Sequence, residues 1–301
     1  MTGQTRLRWN TAVEGFKNWL ISNRLLTFDG SHMLNYLSEL SKERSGDFGV
    51  IRSAIHTMVH QNSGINYSDF LLCKRHASGY RRGNPIDPKY EEMWDVSTMW
   101  EHLKKDFWLD MPAKRLRTRA NILIRLSVAG RNSDVAHIHR QSIQWTGTTV
   151  TFKFYQWKTQ GTCPTRFSRP MTLRRVADRR ICAFSALQEY MEYHENHYQV
   201  LECKGIWLSY KGAKEVKPQM LAACTQKVMR EAGIDTIYGI ATLRHAAITF
   251  WRNQGIALEE VMERTGHRSG QLVLKFYDRS NFSMDIMANI INNCKSDKEF
   301  E

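Results

Sequence analysis

No stretch of about 18 consecutive apolar residues occurs in the sequence, so no helix of membrane-spanning length is expected. Met1 to Asn10 is polar and lacks the apolar centre of a secretion signal, so a secreted product is not expected either. Cysteine is sparse, with six residues at 73, 163, 182, 203, 224 and 294, and none forms a C-x-x-C pair. That spacing offers no zinc site, and no metal is expected. Scattered thiols fit a reducing cytosol or nucleus, most of them as small buried hydrophobes. No internal repeat and no low-complexity segment is visible.

What is present is a globular composition with a strong charge bias. Of 301 residues, 42% are hydrophobic and 11% aromatic, enough for packed cores and too many for a disordered chain. The length suggests two domains. Lys and Arg total 43 against 30 Asp and Glu, a net charge of +13. A charge that large favours a polyanionic partner, of which nucleic acid is the commonest.

The first third reads as a bundle of four helices. Trp9, Val13, Phe16 and Leu20 form one apolar face at helical spacing, and Met33, Leu34, Leu37 and Leu40 form a second. Further helices are predicted over 48–60 and 67–80. Residues 81–88 then carry two prolines and a glycine, which oppose a continuous helix. The boundary is placed here, giving domains of 1–90 and 91–301. In the second part, Asp95 or Ser97 caps a helix to Lys105, and 113–128 is a strong helical stretch with Leu116, Ile122, Leu123 and Leu126 as its core face. Strand signals cover 142–145, 149–157 and 166–173, with turns at 146–148 and 158–162. Beyond Ile181 the chain reads as helical, apart from an extended piece at 206–209. The fold class expected is α+β and mostly helical: a helical bundle, then a domain of helices with a small antiparallel sheet.

Five features follow in order. Arg131, in Gly130-Arg131-Asn132-Ser133-Asp134, closes the apolar helix, where a guanidinium fork can hold a phosphate and Asp134 can orient it. Lys158 is predicted at the tip of a hairpin. Arg244 lies in Thr242-Leu243-Arg244-His245 at the start of a helix. Thr265-Gly266-His267 follows the next helix, and Phe276-Tyr277-Asp278 stands ten residues beyond His267. Singly, each has an ordinary explanation: a surface ion pair, a solvated lysine, a core tyrosine.

Together they resemble the tyrosine recombinase (integrase) family over about residues 94 to 280. The family shows a first arginine in a G-x-R-x-x-[DE] context, a hairpin lysine, an H-x-x-R box, a G-[HW] pair and a nucleophilic tyrosine. The segments Tyr80-Arg81-Arg82-Gly83, Trp94-Asp95-Val96 and Gly255-Ile256-Ala257-Leu258 look most like recombinases of eukaryotic mobile elements, the Crypton and DIRS-like groups. The resemblance implies cutting and rejoining of double-stranded DNA through a 3′-phosphotyrosine, without cofactor or metal, as in site-specific recombination or transposon integration. Tyr277 would attack phosphorus. Arg131, Arg244 and His267 would stabilise the charge gathering on the phosphate oxygens, and Lys158 would protonate the leaving 5′-oxygen. A homo-oligomer on DNA, dimer to tetramer, is implied, with a C-terminal helix over about 282–292 reaching a neighbour or packing at home. A nuclear location follows for a eukaryotic mobile element and a cytoplasmic one otherwise. Lys74, Arg75, Arg81, Arg82, Arg115, Arg117, Arg119, Arg166 and Arg169 are candidate phosphate contacts.

One departure stands out. The histidine of H-x-x-R is replaced by Ala241, which neither gives nor takes a proton. A general base there is typically worth about 10²–10⁴-fold, so a slower enzyme is expected. The loss is tolerated, or Tyr238 or His245 serves instead, or the alanine is an introduced change. A type IB topoisomerase-like nicking-closing enzyme and a domesticated DNA-binding protein remain as alternatives.

Overall fold

The structure is a computed structural model that describes residues 3–42, 48–63, 67–83, 88–155, 170–197, 203–209 and 212–277. The chain divides into two compact units, 1–87 and 88–301.

The first unit holds α1 (Gly3–Ser22), α2 (Gly30–Lys42), α3 (Phe48–Ser63) and α4 (Tyr67–Gly83). Phe16, Leu20, Met33 and Leu37 repeat at i, i+4 and enter one core with Ile55, Val59, Cys73 and Ala77. Trp9 and Val13, expected on the same face of α1, are only half-buried. Asp29 caps α2 by accepting from the main-chain nitrogens of Ser31 and His32 at 2.8 and 3.1 Å.

The second unit contains α5 (Val96–Lys105), α6 (Ala113–Val128), α7 (Asn132–Val135), β1 (Gln144–Trp145), β2 (Thr149–Phe152), β3 (Met171–Arg174), α8 (Ala183–His197), β4 (Leu208–Ser209), β5 (Gly212–Glu215), α9 (Pro218–Glu231), α10 (Thr242–Asn253), α11 (Leu258–Thr265) and α12 (Gly270–Phe276). Asp95 caps α5 through the Ser97 amide. Strands β1, β2 and β3 form an antiparallel sheet in that order, with Trp145 opposite Val150 and Val150 opposite Leu173. Val150 and Phe152 alternate with half-buried threonines, so one face of β2 meets the core. β1 starts two residues later than its sequence signal, because residues 140–142 close a 3₁₀ turn. Beyond β2, Phe154 keeps only an isolated bridge to Ile138. The reading of a single extended piece past Ile181 is corrected: β4 pairs with β5. β5 has the sequence Gly-Ala-Lys-Glu, with no apolar alternation to reveal it.

Helix α6 is the centre of this unit, packed by α8, α9 and α10, and thirteen of its 16 residues are buried. Its polar side chains therefore need partners inside the protein. Arg117 is 2% exposed and donates from Nη1 to the Leu208 carbonyl at 2.8 Å. Arg119 is 4% exposed and donates to the Arg179 and Arg180 carbonyls and to Glu189. Both are corrected from DNA contacts to interior ties, since neighbouring elements cover the faces of α6 on which they stand. Arg125, a third buried arginine, donates to the Ile240 carbonyl at 2.8 Å, and burial pushes its pKa down to about 9. Among the described residues, no helix is long and apolar enough to cross a membrane.

Candidate active site

The first corner of the site is the exit from α6. Ala129 ends that helix in the left-handed region at φ 43° and ψ 42°. Gly130 follows, and a Cβ there would collide with the Val135 and Val128 methyl groups, so only glycine lets the chain turn this tightly into α7. Arg131 caps α7 and pairs with Asp134 at 3.3 Å. The Asp134 side chain is 1% exposed and that of Arg131 24%, so a buried carboxylate anchors a guanidinium that still reaches solvent.

Helix α10 supplies the second corner. Its start is fixed by Thr242, whose hydroxyl donates to the Gly239 carbonyl and accepts from the Trp94 indole at 2.9 Å. Arg244, on the first turn, is buried. Its Nη1 donates to the carbonyl of left-handed Ala129 at 2.7 Å, and its Nη2 to the Thr265 carbonyl at 2.9 Å. One guanidinium thus ties the ends of α6 and α11 together. Burial, and secondarily Arg131, lowers its pKa to about 10, which leaves it cationic at neutral pH.

His267 follows Gly266, which ends α11 at φ 70°. The Thr265 hydroxyl donates its one proton to the Val261 carbonyl at 2.6 Å, so its oxygen accepts at the His267 contact, also 2.6 Å. This assigns the proton of His267 to Nδ1 and leaves a lone pair on Nε2, 3.1 Å from Arg244 Nη2. Burial, then Arg244 and Arg131, pushes the His267 pKa down to about 4. Buried His194, in α8, is likewise lowered to about 4, chiefly by burial. Free histidine titrates near about 6.5, so between that pH and 4 the unfolded chain binds more protons than the folded one. Both groups contribute stability that is complete above about pH 6.5 and is lost as the pH falls towards 4. The melting temperature, followed by circular dichroism, is expected to drop across that window, and less steeply in His194→Gln.

Tyr277 completes the cluster at the C-terminal end of α12. Its carbonyl accepts from Thr249 Oγ1 of α10 at 2.9 Å, which fixes the main chain. Its half-buried ring lies 4.4 Å from the His245 ring and 4.7 Å from that of His267, centroid to centroid, with the Arg244 guanidinium 5.6 Å from its centre. Ala241 precedes α10 with an exposed methyl. Tyr238 is turned elsewhere: its hydroxyl donates to the Glu92 carbonyl at 3.4 Å and its ring packs on Tyr90.

The structure therefore gathers Arg131, Asp134, Arg244, His245, His267 and Tyr277. Lys158, Arg166, Arg169, Asp278 and the 282–292 segment lie outside the described residues, as does the side chain of Arg81. Lys74, Arg75 and Arg82 are exposed in the first unit. Arg115 pairs with Asp106 at 2.9 Å and Glu231 at 3.5 Å, which neutralises it locally. Thr249 was not singled out from the sequence, although it stands four residues after His245, and Thr265 was named only as part of the Thr265-Gly266-His267 motif, without a role of its own.

No protein-family model and no curated protein matches the sequence. The fold does match solved structures. The XerH site-specific recombinase bound to palindromic difH substrate, in a post-cleavage complex, superposes with a TM-score of 0.56 at 14% identity, covering 90% of this chain and 74% of that one. The Tn1549 transposon integrase with transposon right end DNA gives 0.56 at 12% identity, covering 98% and 95%. A lambda integrase dimer bound to a COC′ core site gives 0.52 at 10% identity, covering 95% and 92%. Likenesses of this kind establish a shared fold.

Proposed function

We propose that this chain is a tyrosine recombinase that cuts and rejoins double-stranded DNA through a 3′-phosphotyrosine, as a site-specific recombinase or transposon integrase. One observation carries the reading. Arg244, His245 and His267, from α10 and the turn after α11, meet around the half-buried ring of Tyr277, and Arg131 is near enough to Arg244 to help lower its pKa. The recombinase and integrase folds it shares, solved on DNA, support the same reading.

The chemistry follows from the donors. A phosphodiester gathers negative charge on its non-bridging oxygens as a fifth oxygen approaches phosphorus. Arg131 and Arg244 are cations held by internal contacts, so little reorganisation is needed to receive that charge. Tyr277 stores the bond energy as a phosphate ester, and its reversal rejoins the strand. Lys158 is assigned the proton for the departing 5′-oxygen, on the family resemblance alone. Lys74, Arg75 and Arg82 are assigned to phosphate contacts that hold the duplex without reading bases. Assembly as a dimer or tetramer on DNA is part of the proposal, as is placement among mobile-element recombinases of the Crypton or DIRS-like type, with the nuclear location that implies.

The test is covalent trapping. Incubated with nicked suicide duplexes, which lose the strand needed for religation, the protein is expected to form a denaturant-resistant adduct whose peptide map places DNA on Tyr277. Absence of adduct from both the natural chain and Ala241→His would overturn the enzymatic reading and leave a DNA-binding protein with the fold but not the reaction.

A further inference from the structure

We infer that His245 is the group that takes the phenolic proton of Tyr277 as its oxygen attacks phosphorus; this rests on the recombinase reading above. A phenol, with an ordinary pKa near about 10, is almost wholly protonated at neutral pH, so attack needs a proton acceptor beside the ring.

Two imidazoles flank that ring, His245 at 4.4 Å and His267 at 4.7 Å between centroids. They are not equivalent. His267 is spoken for at both nitrogens. Its Nδ1–H is held by Thr265, and its Nε2 lone pair faces an Arg244 N–H at 3.1 Å. The same burial and neighbouring cations that keep it neutral make it a very weak base.

His245 is presented by the helix that also holds the nucleophile's main chain. Residues 241, 245 and 249 fall at i, i+4 and i+8, so Ala241, the N-cap of α10, continues the strip that His245 and Thr249 form on the helix. Thr249, one turn along, grips the Tyr277 carbonyl at 2.9 Å. The strip that clamps the main chain of the nucleophile therefore also presents His245 to its ring. Ala241, one turn earlier on the same strip, offers only a methyl group. The comparison of His245 with Arg244, about 100° away around the helix, hides this relation; the relevant comparison is with position 241.

In the proposed step the Tyr277 Oη–H bond breaks and its proton passes to an imidazole nitrogen of His245. The freed electron pair forms the Oη–P bond, the P–O5′ bond breaks, and the leaving 5′-oxygen takes a proton from Lys158. Religation runs the same transfers backwards, with His245 returning its proton to Tyr277. Among the described residues, Tyr277 at the end of α12 and His267 after α11 face His245, and Arg244 is its neighbour in the chain.

The experiment is single-turnover adduct formation on suicide duplexes as a function of pH, using the full chain. His245→Ala and His245→Asn are expected to lower the rate by about 10²-fold or more, within the range for a lost general base. Duplex affinity and melting temperature should change little, and the acid limb of the pH–rate profile should disappear. Adding Ala241→His to His245→Ala should return at least tenfold of the lost rate, because the new imidazole reaches the same ring from one turn away. Rates within threefold of the natural chain for both position-245 variants, with the acid limb intact, would overturn this inference while the recombinase reading stands. No adduct from the natural chain or from Ala241→His would overturn both.

Discussion

Arg244→Lys is expected to slow covalent adduct formation by about 10³-fold, at the upper end of what loss of one preorganised oxyanion donor costs. The variant keeps the charge and removes the fork. In the native site the guanidinium donates to two main-chain carbonyls, of Ala129 and Thr265, while an N–H faces His267. A lysine ammonium is a point on a flexible stem and cannot span acceptors at the ends of both α6 and α11 while also reaching a phosphate. One buried carbonyl is then left without its donor, at a cost of about 1–3 kcal/mol, so the melting temperature should fall too. The two effects separate by temperature. Rates measured well below the new melting point, with the native circular dichroism spectrum present, report the lost transition-state contacts alone. Duplex affinity should stay within a few-fold, because the net charge is unchanged. A rate loss below tenfold under those conditions would mean that Arg244 is a strut between helices and not part of the phosphate site.

How far the site was legible in the sequence differs from residue to residue, and the reasons are physical. The bounds of α6 could be read directly, because its apolar periodicity is strong and Ala129-Gly130 marks its end. The surroundings of α6 could not. Periodicity shows that a helix has an apolar face, but not that neighbours also cover its other faces, so Arg117 and Arg119 looked like surface charges. Strand β5 escaped because four small or polar residues carry no alternation. Within the site, the order of Arg131, Arg244, His267 and Tyr277 along the chain pointed to the cluster. The ties that make it rigid are main-chain acceptors at Ala129 and Thr265 and the hydroxyls of Thr249 and Thr265, and a carbonyl has no residue type to recognise. The relation of His245 to Ala241 was present in the spacing from the start, but it becomes meaningful only once Thr249 is seen holding Tyr277 on the same strip.

Tyr277→Phe carries the largest expected effect: no covalent adduct at any time or pH, with duplex binding and fold retained. The substitution removes a single oxygen. The tie that fixes this part of the chain runs from Thr249 to the Tyr277 carbonyl, which phenylalanine also has, and the ring contacts with His245, His267 and Arg244 remain, while the hydroxyl's interaction with Arg244 is lost. The ring is half-buried, so loss of its hydroxyl leaves no enclosed cavity, and the melting temperature should move by only a degree or two, in keeping with roughly 0.5 kcal/mol or less for a change of this kind. What is lost is the atom proposed to carry the phosphoryl group. A residual adduct would have to be held by another nucleophile, and its peptide map would name it. Duplex affinity is expected to stay within twofold, since the proposed phosphate contacts are assigned to other residues. A Tyr277→Phe protein that loses duplex binding along with the adduct would show instead that the tyrosine is part of the packing, and the assignment of the nucleophile would fail with it.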